Sequence, residues 1–165
     1  MTLYPIIIVI HVLSAVAWLS FLPIDYILRK NFREDKNILV QKKLISIWLK
    51  TANLLGIIGI SGILVTGIIL VSISPYYSFF QFTANHWLAT KQVLMVVLLV
   101  VTFVYLIPNA KKLSVKIENV LQNETTLNEN VNHDIDKVGK ILSVINVLVL
   151  INFLLAITHK LVSFG

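Results

Sequence analysis

Four apolar runs, Tyr4 to Leu28, Ile47 to Ile73, Trp87 to Ile107 and Ile141 to Val162, leave this chain of 165 residues little choice of fold. Each is close to the roughly 20 residues that cross a bilayer core as an α-helix. In lipid a backbone N–H or C=O has no water to turn to, so a spanning segment must satisfy its hydrogen bonds internally or by closing a barrel. None of the runs alternates as a barrel strand does. The expectation is an all-α integral membrane protein. Residues 1–165 form a single four-helix transmembrane domain, an up-down bundle with helices over 4–28, 47–73, 87–107 and 141–162 and cytoplasmic loops over 29–46 and 108–140. With 57% hydrophobic residues, 13% charged and a mean hydropathy of +0.85, a soluble domain is excluded.

Proline marks the limits of the runs. Pro5 suits a first helical turn, Pro75 follows the second run, and Pro108 with Asn109 closes the third. Pro23 lies inside the first run, where it predicts a kink or a released carbonyl. In the second run Ala52, Gly56, Gly59, Gly62, Thr66 and Gly67 recur at close to helical spacing. A face so free of bulk serves either small-residue helix packing or the close approach of a bulky planar guest.

Charge gives an orientation. Arg29, Lys30, Arg33, Lys36, Lys42, Lys43 and Lys50 follow the first run, and Lys111, Lys112, Lys116, Lys137 and Lys140 follow the third, so both segments belong in the cytoplasm. The stretch Ser74 to Asn85 has no charge and carries Tyr76, Tyr77, Phe79, Phe80 and Phe82, an aromatic belt at the opposite interface. Both termini are then outside. The net charge of +6 and pI near 9.6 follow from this topology and from contact with anionic lipid, not from nucleic-acid binding. Met1 to Pro5 has no basic stretch and the first run is too long for a signal core, so a cleaved signal peptide is not expected. In the segment 113–137, Leu113, Ile117, Val120, Leu121, Leu127 and Val131 recur at roughly helical spacing, which predicts an amphipathic extension or surface helix, read as a solvated arm.

The topology places three of the four histidines, His11, His86 and His159, at one outer face. At about 1.5 Å per residue, His11 lies roughly 10 Å below the surface. An ionisable side chain at that depth is costly unless paired or ligated, so it is a functional candidate. His86 and Lys91 start the third helix, and His159 and Lys160 lie in the last turn of the fourth. His86 is either a belt residue or a ligand, Lys91 either an anchor reaching the interface or part of a site. Lys160 either snorkels or pairs with a propionate. His133, in a polar stretch, is read as solvated.

What the outer layer lacks narrows its chemistry. Asp25, Glu34, Asp35, Glu118, Glu124, Glu129, Asp134 and Asp136 all fall at inner ends or in inner loops, so oxygen-ligand cations and carboxylate catalysis are poor fits outside. Cysteine is absent and Met1 and Met95 are the methionines, too little sulfur for a copper(I) path. Nitrogen donors in an apolar, aromatic cavity suit haem iron best, with histidine-bound copper or zinc next.

The run His11-Val12-Leu13-Ser14-Ala15-Val16-Ala17-Trp18 resembles the first-helix signature of HemJ-type protoporphyrinogen oxidases and of the related copper-resistance-D-like small membrane proteins. Trp87-Leu88-Ala89-Thr90-Lys91 is similar to their third-helix Trp-Leu-x-x-Lys, and Asn146 and Lys160 are weaker matches. The resemblance implies haem b and makes His11 and Lys91 a functional pair; His86 and His159 are additions.

The combined expectation is a haem b-binding, cytochrome b-like redox protein of a bacterial cytoplasmic membrane. Its cofactor-binding residues are His11, His86, Lys91, His159, Trp18, Trp87 and Lys160, with His11, His159 and His86 as metal ligands. One haem, two haems or a haem beside copper satisfy these donors, and a HemJ-type oxidase or a copper-handling protein are the alternatives. Expected partners are the lipid bilayer, quinone or an external electron donor, or a second copy of the chain.

Overall fold

The computed structural model describes residues 3–83, 86–122 and 129–163, with side chains described to Val120 in the second stretch and Thr158 in the third. Helices α1 (Leu3–Leu19), α2 (Phe21–Glu34), α3 (Ile38–Ile73), α4 (His86–Val100), α5 (Ile107–Gln122) and α6 (Glu129–Ser163) follow in order, with a π-helical turn (Val101–Leu106) joining α4 to α5. They make four rods, α1–α2, α3, α4–α5 and α6, each long and apolar enough to cross a membrane. No strand occurs among the described residues. The fold is the all-helical membrane architecture that the four runs predict.

Pro23 produces the kink expected of it, displaced toward the N-terminus. Its ring would clash with the carbonyl four residues earlier, that of Leu19, and it brings no N–H to bond there. The rod breaks at Ser20, between α1 and α2. Ser20 N–H still donates to Val16 O at 2.8 Å, and its hydroxyl donates to Ala17 O at 2.7 Å.

Pro108 and Asn109, by contrast, do not close the third rod. The turn ahead of them widens, so that Ile107 N–H donates to Thr102 O, five residues back. The Asn109 side-chain amide donates to Tyr105 O at 2.6 Å, beside the proline.

The polar segments expected as loops 29–46 and 108–140 are mostly helix. In the first, only Asp35 to Asn37 separate α2 from α3, and the Asn37 side chain caps α3 by accepting from Leu39 and Val40 N–H at 3.0 and 3.4 Å. In the second, Leu113, Ile117 and Val131 are buried at 0%, 2% and 3% exposure, which overturns the solvated arm. Leu121, Leu127 and Glu124 lie outside the described residues. The polar appearance misleads because α5 packs on both α6 and α3, hiding one apolar face while the other stays wet.

The core therefore sits toward the basic end of the bundle, where Phe32, Ile45, Trp48, Leu113, Val138 and Ile145 are buried. Within it, the nearly inaccessible Asp25 carboxylate accepts from Trp48 Nε1 at 2.7 Å and from Arg29, one turn on. Arg29 also donates to Gly139 O at 3.2 Å and Ser143 Oγ at 3.1 Å, so this group ties α2, α3 and α6 together. Lys42, fully buried, donates to Val120 O at 2.9 Å near the end of α5, where a helix presents unpaired carbonyls. Toward the other end, which carries both termini, burial thins: the outermost buried residues of α1, α3 and α4 are Ser14, Thr66 and Ala89.

The small-residue face of α3 is a helix seam. A Cβ added at Gly59 would lie 2.8 Å from Trp18 Cβ and 3.4 Å from the Ser14 carbonyl, and one at Gly56 would lie 3.1 Å from the Trp18 ring. Gly62 faces the Ser14 side chain. Of the two readings of that face, packing is the one realised, and α1 occupies the space a planar guest would need. Gly59→Ala is expected to force α1 outward and cost about 1–3 kcal/mol. Its unfolding midpoint in detergent checks this, and a midpoint equal to the wild type's would mean the seam is loose.

Candidate functional site

The seam sets the position of His11. His11, Ser14 and Trp18 recur at i, i+3 and i+7, one stripe of α1, and the stripe lies on α3. His11 Nδ1 is 2.7 Å from Thr66 Oγ1. The Thr66 hydroxyl donates back along its own helix to Gly62 O at 2.5 Å. A Cβ at Gly67 would lie 3.5 Å from the imidazole Cε1. Helix α3 thus backs one edge of the ring.

From α4 comes Lys91, close enough to His11 for the two to interact electrostatically. Its ammonium lies over the Trp87 ring, 5.6 Å from the centroid, and Trp87 meets Tyr77 edge-on at 5.9 Å. The aromatic segment, described through Thr83, folds back over α4. Phe80, at φ 53°, donates its N–H to Gln92 Oε1 at 2.6 Å. Trp87 and Lys91 thus lie together on α4.

Other predicted residues fall elsewhere. Trp18 is sealed into the α1–α3 seam against Gly56 and Gly59. His86 opens α4 and is exposed. The side chains of His159 and Lys160 lie outside the described residues. Among the described residues no group of three or more His, Cys, Asp and Glu comes together as a metal site. His133 is solvated as expected, its side chain 79% exposed and 3.9 Å from Asp134. The Asp134 carboxyl is held below the ordinary carboxylate range, chiefly by the hydrogen bond that Lys116 donates.

Sequence reasoning missed Thr66 and Gln92. Thr66 was submerged in the small-residue stripe, although its hydroxyl on an otherwise apolar face was a signal. Buried side-chain polar atoms without a partner among the described residues are Trp18 Nε1, Gln92 Nε2, Thr102 Oγ1, Asn146 Oδ1 and Asn152 Oδ1. In a membrane interior each such atom is costly, so a polar guest or water between the helices would be favoured there. Two clefts lie at the basic end. One of 410 Å³ is lined by Phe32, Arg33, Gln41, Ile45, Ile135 and Asp136. Its charged groups, Arg33 and Asp136, pair with each other at 2.7 Å on the exposed surface, leaving no reactive group turned into it.

Compared with protein-family models, curated proteins and solved structures, the chain matches none.

Proposed function

We propose that this chain is a haem b-binding membrane redox protein whose cofactor lies at the terminus-bearing end, between α1 and α4. One observation carries the reading: the His11 hydrogen bond to Thr66 uses Nδ1, which leaves Nε2 as the ring nitrogen for a metal. A ligating histidine typically has its other nitrogen bonded in this way. The surroundings also fit. Helix α1 packs chiefly on α3 and α4 chiefly on α6, so the His11–Lys91 side is a juncture between two helix pairs. Gln92, whose Oε1 accepts from Phe80 N–H while its Nε2 has no partner, follows Lys91 in α4.

In this reading His11 is an axial ligand, and His86 and His159 are the candidates for the second. Lys91 and Lys160 meet the propionates, and Trp87 flanks the ring system. Trp18 contributes by holding α1 on α3. Bound haem supplies one-electron transfer, and the chain's residues bind it, orient it and shield it from water. The protein would sit in a bacterial cytoplasmic membrane with its termini outside, exchanging electrons with quinone or an external donor.

The test is an absorption spectrum of detergent-purified protein, oxidised and reduced, with metal analysis of the same sample. A Soret band with an α-band that sharpens on reduction is expected. A colourless preparation from haem-replete cells removes the haem reading, and copper in it would promote the copper-handling alternative. The HemJ resemblance, which pairs His11 with Lys91, suggests a second reading as a haem-dependent protoporphyrinogen oxidase. Oxidation of added protoporphyrinogen by the haem-loaded protein separates it from a simple electron carrier.

A further inference from the structure

The geometry assigns Thr66 the role of positioning residue for His11: it fixes the imidazole tautomer and so selects Nε2 as the atom offered to a metal. The argument is one of proton counting. A threonine hydroxyl has one hydrogen and two lone pairs, and a carbonyl oxygen has no hydrogen. Thr66 Oγ1 is 2.5 Å from Gly62 O and 2.7 Å from His11 Nδ1. The single hydroxyl proton goes to the Gly62 carbonyl, because the reverse arrangement would set two lone pairs against each other at that distance. Thr66 Oγ1 can then only accept from the ring, and Nδ1 must carry a proton. A neutral His11 is therefore protonated on Nδ1 with its lone pair on Nε2.

The local structure makes this arrangement rigid. A threonine in a helix is stiff at χ1 and bonds readily to the carbonyl four residues back. Thr66 is 7% exposed, so no bulk water competes for it. The glycine seam brings α1 close enough for the two side chains to meet across it. A histidine whose outer nitrogen is anchored keeps its ring plane as well as its tautomer, and loss of such a partner typically costs about 10–100-fold in metal affinity.

The role as metal-ligand positioner rests on the haem reading, and the test separates the two. In metal-free protein labelled with ¹⁵N-histidine, with the ring neutral, NMR is expected to find His11 in the Nδ1–H form. Thr66→Val, nearly the same shape, should shift it toward Nε2–H, and Thr66→Ser should not. In haem-loaded protein Thr66→Val should weaken haem affinity by about 10–100-fold, with Thr66→Ser close to the wild type. A colourless wild type that still shows the Thr66-dependent tautomer would remove haem and leave the tautomer assignment standing. A tautomer unmoved by Thr66→Val overturns the assignment, with or without haem.

Discussion

Asp25→Ala is expected to destabilise the bundle by about 3–5 kcal/mol, the range for removing one partner of a buried ion pair. The Asp25 side chain is 3% exposed, whereas that of Arg29 is 25% exposed, so Arg29 can turn partly toward water and the lower end of the range is the better expectation. Two losses add up. Arg29 keeps Gly139 O and Ser143 Oγ but not its counter-charge, and Trp48 Nε1, on a side chain with 0% exposure, is left without its acceptor. An unsatisfied buried donor costs about 1–3 kcal/mol by itself. Asp25→Asn, which keeps an acceptor for Trp48 while losing the charge, should fall between alanine and wild type. Thermal unfolding in detergent, followed by circular dichroism, measures the series. An alanine variant within about 1 kcal/mol of wild type would mean the pair contributes nothing to the fold, as many exposed pairs do.

Asp25 also marks how far the sequence could be read. Its depth at the inner end of the first run was legible from the apolar pattern, and the four rods follow from the same pattern because lipid allows little besides helices. Its partner was half legible. Asp25 and Arg29 stand one helical turn apart, a spacing at which opposite charges meet. Trp48 and Ser143 were not, since they arrive from other helices and no local rule brings them. The same limit explains the second polar segment. Pro108 is a sound stop signal when judged by its missing N–H, but a widened turn accommodates it, and that adjustment is visible only in three dimensions. At the site, the similar depth of His11 and Lys91 was legible as two polar groups near the outer ends of helices that run in the same sense. Thr66 was not, because its role depends on the rotation of α3 that the Trp18–Gly59 contact fixes.

His11→Ala tests the site, as Asp25→Ala tests the fold, and the two variants should divide cleanly. If the chain binds haem through His11 as proposed, the expected result is loss of most of it, since the iron would lose its imidazole ligand. The fold should survive. His11 is only half-buried, and its loss deprives Thr66 of a donor but not of its own acceptor, Gly62 O. A hydrogen bond of this kind contributes about 1 kcal/mol, and the unfolding midpoint should fall by no more than that implies. The separation matters because an unstable variant can lose a cofactor for trivial reasons. The haem-to-protein ratio and the unfolding midpoint of the same detergent preparation therefore have to be read together. Haem loss with a near wild-type midpoint makes His11 a ligand. Full haem with an unchanged spectrum makes His11 a neutral contact between α1 and α3 and moves the search for ligands to His86 and His159. Haem loss with a collapsed midpoint would mean that the imidazole holds the seam itself, and the weight given to the Trp18–Gly59 contact would then be misplaced.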